Sequence, residues 1–157
     1  PSFTKNDKAS ITRAINTWNT ALNGYIVLKV ESTNCYFSKS LIERARYGEI
    51  YLISEIFSSA PMIVKRDSDD NVTLGLANKI GGNWFYIVRD RLTESDVYYI
   101  ALHELGHLLG ADHTKHFLMQ PYYNKSQYEC IDDITIEAVA DYWRLPLNKL
   151  NYCTYYQ

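Results

Sequence analysis

Apolar residues recur every three or four positions from Ile11 through Ala14, Ile15 and Trp18 to Leu22, the spacing of one helical face. Thr4 and Asp7 stand three apart as a capping box before this run, and Asn23-Gly24 stops it, so the first element is an amphipathic helix. Residues 25–31 are rich in β-branched side chains and bounded by turn formers, which predicts a strand. A short helix is expected over 40–47 and a strand over 49–57. Two further strands, 62–65 and 72–78, are joined by an acidic turn at 67–71. Gly81-Gly82 makes the next turn, and 84–88 is a strand. Thr93 and Asp96 form a second capping box opening a long helix through Leu109, which Gly110 ends. After a loop from Ala111 to about Ile131, Asp132-Asp133 cap a third helix. Its buried stripe is Ile136, Val139, Ala140 and Trp143, and Pro146 stops it. The order helix, strands, helix, loop, helix implies an α+β domain with one sheet packed against two of the helices.

Composition changes this picture little. The 157 residues suit a single domain, and no repeat, low-complexity tract or linker marks a second one. A hydrophobic share of 46% with 22% charged residues is that of an ordinary globular protein. The net charge of −2 offers no footprint for nucleic acid or anionic lipid. The longest apolar runs, 98–102 and 108–111, fall far short of the ~20 residues of a transmembrane helix. The opening Pro1-Ser-Phe-Thr-Lys lacks a signal-peptide core, so any leader or pro-segment is expected to lie outside this chain. Cys35, Cys130 and Cys153 leave one thiol over under any pairing and contain no CxxC. A Cys130–Cys153 bridge would tie down the tail across the last helix; the alternative is three free buried thiols.

Chemistry enters at His103-Glu-Leu-Gly-His-Leu-Leu-Gly-Ala-Asp-His113. Four residues along a helix rotate about 400°, so His103 and His107 project from one face, close enough to share a cation. Gly110 can take positive φ and turn the chain back, bringing His113 to the same point. Three neutral imidazoles suit one catalytic zinc ion, which leaves its fourth position to water and lowers that water's pKa to ~7. Glu104, next to the first ligand, can act as general base towards that water and pass the proton to a leaving amine. For a lone histidine the plain reading is a solvated side chain, yet three of the chain's four histidines occupy these positions with Glu104 and Gly110. Asp112 is a weaker ligand candidate than His113. His116 could close the site around a structural zinc, but a surface-loop histidine fits better beside a glutamate of this motif.

This segment resembles the long zinc-binding consensus of the metzincin metallopeptidases. Their second feature, a methionine turn beneath the metal, is matched by Phe117-Leu-Met-Gln-Pro-Tyr-Tyr123, which looks like the matrixin version with Met119, Pro121 and Tyr123 at alternate positions. Residues 92–102 and the helix after 132 also look like the matrixin layout. The resemblance implies a metzincin catalytic domain: a twisted, mostly parallel sheet with an antiparallel edge strand, an N-terminal part of about 1–110 and a C-terminal part of about 111–157. It implies a secreted, monomeric zinc endopeptidase acting on extended polypeptide. In the family an edge strand binds substrate backbone, which points to Leu76 and Ala77. The segment Pro121, Tyr122, Tyr123 would form the outer wall of the pocket taking the residue after the scissile bond. Departures from the matrixin pattern are the spacer of only five residues between His113 and Met119, and Thr114 after the third histidine. The acidic turn at 67–71 lacks the EF-hand pattern for calcium and reads as a solvated hairpin. Two other functions share these residues: a zinc-binding interaction domain of the same fold without catalysis, and a zinc hydrolase of non-peptide amides.

Overall fold

The computed structural model describes residues 4–31, 49–53, 74–77, 79–82, 85–87, 92–123 and 130–154. The helix expected at 40–47, the strand at 62–65, the acidic turn at 67–71 and Cys35 lie outside the described residues. So do the outer ends of the strands expected at 49–57, 72–78 and 84–88.

Helix α1 spans Lys5–Leu22. Thr4 Oγ1 accepts from the Asp7 backbone N–H at 3.1 Å, and the Thr4 N–H donates to Asp7 Oδ2 at 3.0 Å, satisfying two of the N–H groups a helix start leaves open. Asn23 ends the helix in the left-handed region, φ 49°. The predicted stripe Ile11, Ala14, Ile15, Trp18 and Leu22 is buried, joined by Ala21. It packs along helix α2, Glu94–Leu108. Trp18 is fully buried and its Nε1 donates to the Leu102 carbonyl at 2.9 Å, so this large apolar side chain also satisfies its one polar atom. Asn19 clamps the helix to the next strand, accepting from the Leu28 N–H at 2.7 Å and donating to its carbonyl at 3.1 Å.

Strands β1 (Val27–Glu31) and β2 (Glu49–Ile53) pair in parallel, Val27 opposite Glu49. Strands β3 (Gly75–Ala77) and β4 (Phe85–Ile87) pair antiparallel, Gly75 opposite Ile87. Among the described residues these are two two-stranded sheets; the expected strand at 62–65, which belongs to the single sheet read from the sequence, lies outside them. The α+β composition and the presence of both a parallel and an antiparallel pair agree with expectation. Phe85 and Ile87 are buried, and β3 and β4 both pack on α2.

Helix α2 carries buried residues on most sides, among them Val97, Ala101, Leu102, Leu105 and Leu108, as suits a central core helix. It closes in a Schellman motif: the Gly110 N–H donates to the His107 carbonyl at 3.0 Å and the Ala111 N–H to the Gly106 carbonyl at 2.9 Å, with Gly110 at φ 101°. Helix α3 (Asp133–Trp143) is capped by Asp132. It ends at Arg144, which is left-handed with φ 56°, two residues before the expected stop at Pro146. The residue before a proline is pushed out of the helical region, so the turn is made ahead of it.

The segment after α3 runs through a short 3-10 turn, Leu147–Lys149, back to α1. There the Asn151 N–H and Nδ2 donate to Ala21 and Thr20 carbonyls, each at 2.9 Å, satisfying acceptors that the helix end leaves open. Opposite Asp132, the Cys153 N–H donates to the Ile131 carbonyl at 2.8 Å and its carbonyl accepts from the Asp133 N–H at 2.9 Å, and Cys153 closes the Cys130–Cys153 disulfide, one of the two alternatives read from the sequence.

A cross-link over a separation of 23 residues stabilises by roughly 3 kcal/mol through the entropy it removes from the unfolded chain. Replacing both Cys130 and Cys153 by serine should lower the unfolding free energy by about 2–4 kcal/mol in urea titrations. A loss below about 0.5 kcal/mol would mean that backbone pairing alone holds the tail.

Candidate metal centre

Helical spacing turns His103 and His107 to one face of α2, with ring centroids 4.8 Å apart. The Gly110 turn then returns the chain so that the His113 ring centroid lies 5.4 Å from that of His103 and 4.8 Å from that of His107. One nitrogen from each of the three lies within 4.8 Å of the others, a set able to hold a metal ion.

The orientation of each helix-borne ring is set by the backbone. His103 Nδ1 pairs with the Leu118 carbonyl at 2.7 Å and His107 Nδ1 with the Ala111 carbonyl at 2.8 Å. A carbonyl only accepts, so both Nδ1 atoms carry the proton and both Nε2 lone pairs are left for a cation. His107 Nε2 and His113 Nε2 stand 3.2 Å apart. Tetrahedral zinc with Zn–N bonds of roughly 2.0–2.1 Å sets neighbouring donors about 3.3 Å apart, so the three imidazoles fit that ion in chemistry and the His107–His113 pair fits it in spacing. Burial lowers the pKa of His103 to about 4 and also lowers that of His107, keeping both neutral and able to ligate.

The loop from Ala111 to Met119 is tied on both sides. The Thr114 N–H donates to the Met119 carbonyl at 3.0 Å, and Phe117 adopts a left-handed φ of 67°, which closes the short spacer into a compact turn. Met119 is fully buried beneath α2. A side chain at Gly106 would stand 2.5 Å from Met119 Sδ, so only glycine lets the sulfur approach the helix. Asp132, buried at the start of α3, accepts from the Leu118 N–H at 3.3 Å and from the Thr135 N–H and Oγ1 at 2.9 and 2.8 Å. Leu118 thus links the Asp132 carboxylate to the His103 ring.

Glu104 projects from the same helix against β3. A Cβ at Gly75 would stand 2.8 Å from Glu104 Oε1 and from Ile100 Cγ2, so the glycine is what lets the strand lie on the carboxyl group. The Ala77 backbone hydrogen-bonds to that group, while Oε2 is buried without a partner. Burial pushes the Glu104 pKa up to about 8, against the smaller opposing effect of the Ala77 bond.

The matrixin family model matches residues 53–140, over half of the chain, and this span includes the three histidines, Glu104 and Met119. The chain belongs to the matrixin family. No curated protein and no solved structure matches it. Matrixins are zinc metallopeptidases, and this matrixin has the histidine triad that such a metal requires.

Other candidate residues fall at varied distances from the triad. Asp112 is exposed and its Oδ1 accepts from the His113 N–H. His116 is exposed, its backbone carbonyl accepting from Thr114 Oγ1, and it lies outside the metal-holding set. Leu76 is exposed on β3, while Ala77 reaches Glu104 through its backbone. Pro121 and Tyr122 are exposed beyond Met119. Tyr123 is half-buried and its hydroxyl donates to Asp96 Oδ1 at 2.7 Å, linking the loop to the start of α2; burial, and after it the Asp96 bond, raises the tyrosine pKa. Sequence reasoning missed Ala111 and Leu118, which act through carbonyls that every residue possesses. It saw Asp132 only as a helix cap.

In the metal-free protein the folded Glu104 carboxyl binds its proton up to about pH 8, against 4.5 for the free group. The folded state therefore holds more protons between these values, and the stability linked to Glu104 is full below about 4.5 and declines as pH rises through about 8. Chelator-treated Glu104→Gln, which cannot ionise, should gain in thermal stability over the wild type across that range. A gap between the two proteins that does not change with pH would contradict the assignment.

Proposed function

We propose that this matrixin is a zinc-dependent endopeptidase in which His103, His107 and His113 hold the metal and Glu104 is the general base. The observation that carries the reading is the convergence of three imidazoles, two of them oriented by backbone carbonyls, with a desolvated carboxyl group one residue from the first of them. Zinc, when bound, supplies Lewis acidity: it makes water acidic near neutral pH and polarises a carbonyl oxygen.

The chain's own groups do the rest. His103 and His107 stay neutral and fixed in one tautomer. Glu104, with a high proton affinity and an unpartnered oxygen, is suited to take a proton from the attacking water and return it to the leaving amine. A cation held by the three histidines would favour the ionised form of Glu104. An extended substrate adds along β3 at Leu76 and Ala77 by backbone hydrogen bonding, which demands little of sequence. Among the described residues β3 pairs only with β4, which supports this mode. Pro121, Tyr122 and Tyr123 wall the pocket for the residue after the cut, and Met119 serves as the methionine turn beneath the metal. The substrate is polypeptide met outside the cell. The disulfide is compatible with that compartment, and no helix among the described residues is long and apolar enough to cross a membrane. The catalytic unit is one domain, its parts meeting near residue 110.

A mixed peptide library digested by zinc-loaded wild type and Glu104→Ala, with products read by mass spectrometry, tests this. Wild type should cut internal bonds with an apolar residue after the cut, and the variant should retain zinc while losing at least ~10²-fold in rate. Zinc binding without cleavage by either protein would overturn the peptidase reading.

A further inference from the structure

Tyr142, on the outer side of α3, is half-exposed yet reaches inward against two glycines that belong to different elements. A Cβ at Gly110 would overlap its ring, standing 2.7 Å from Tyr142 Cβ and 2.5 Å from Cδ1. A Cβ at Gly81 would overlap its hydroxyl and stand 2.9 Å from Cζ. Both glycines have positive φ, 101° and 72°. Both also donate their N–H to one acceptor, the backbone carbonyl of His107, Gly110 at 3.0 Å and Gly81 at 2.8 Å.

The ring therefore covers a junction of three parts. Gly110 is followed by Ala111, whose carbonyl orients the His107 imidazole. Gly81 belongs to the turn 79–82 after β3, the strand that lies on Glu104. The neighbouring Trp143 Nε1 donates to the Leu109 carbonyl at 2.8 Å, so consecutive aromatics of α3 grip the end of α2 from two directions. From this packing we propose that Tyr142 is a positioning residue of the metal centre. It holds the Gly110–Ala111 turn, and through it the His107 ring, and it ties the turn after β3 to the same ligand. The inference rests on the zinc-site reading given above.

The test uses cobalt(II) in place of zinc, because its visible absorption reports ligand geometry and its affinity can be measured by chelator competition. Wild type should bind one cobalt with the spectrum of a four-coordinate site. Tyr142→Ala, folded by circular dichroism, should bind about 10- to 100-fold more weakly with an altered band shape, while Tyr142→Phe should stay within about 3-fold of wild type. Tyr142→Ala with wild-type affinity and spectrum would overturn the assignment and leave the zinc-site reading intact. Failure of the wild type to bind cobalt would overturn both.

A second arm does not depend on Tyr142→Ala folding. Gly81→Ala should weaken cobalt binding, because its methyl overlaps the hydroxyl, and adding Tyr142→Phe removes the overlapping oxygen. The double variant should recover at least about 3-fold in affinity over Gly81→Ala alone, since the backbone strain at residue 81 is common to both. No recovery would count against contact between Tyr142 and this junction.

Discussion

Both helix-borne imidazoles are oriented by carbonyls of one short loop, Ala111 for His107 and Leu118 for His103, and the same loop carries His113. All three donors thus depend on the path of eight residues. An imidazole that lost its carbonyl partner would rotate or change tautomer, at a cost of about 10- to 100-fold in metal affinity. The path is restrained at both ends: the Gly110 Schellman turn fixes its start, and the Asp132 bond to the Leu118 N–H fixes its finish.

The helix beneath it is set from the opposite side. Trp18 fills the core and bonds to the Leu102 carbonyl, one residue before the first ligand, while Met119 presses on Gly106, one residue before the second. In this well-packed interior one polar atom stands out. Among the described residues, Glu104 Oε2 is a buried side-chain oxygen with no hydrogen-bond partner. Buried side-chain polar atoms are almost always paired. The oxygen lies on the residue proposed above as the general base.

The three described helices and the convergence of the three histidines were legible in the sequence because each is written in side chains. Capping boxes at Thr4 and Thr93 mark two starts, the Ile11–Leu22 stripe marks a face, and the histidine spacing marks convergence. The disulfide partner was legible only as one of two alternatives, since pairing depends on where the tail returns. The orienting carbonyls of Ala111 and Leu118 were invisible, because a carbonyl has no side-chain signature. The end of α3 at Arg144 was displaced from Pro146, because a proline constrains the residue before it and the turn must come earlier still. The Tyr142 contact was hidden for a related reason: Gly81 and Gly110 read as turn formers, and nothing in their spacing tells that one ring sits against both.

The return of residues 147–153 to the end of α1 has a consequence for biosynthesis. Asn151 bonds to Thr20 over a sequence separation of 131, and Cys153 locks onto the residues just before α3. A chain is made from its N-terminus, so the ligands and Glu104 leave the ribosome before the tail that closes the domain. The long loop must be closed before its contacts reward the ordering they require. The contacts that tie this return segment to α1 and to the start of α3 can therefore form only after translation has passed Cys153, later than the synthesis of the histidine triad and Glu104.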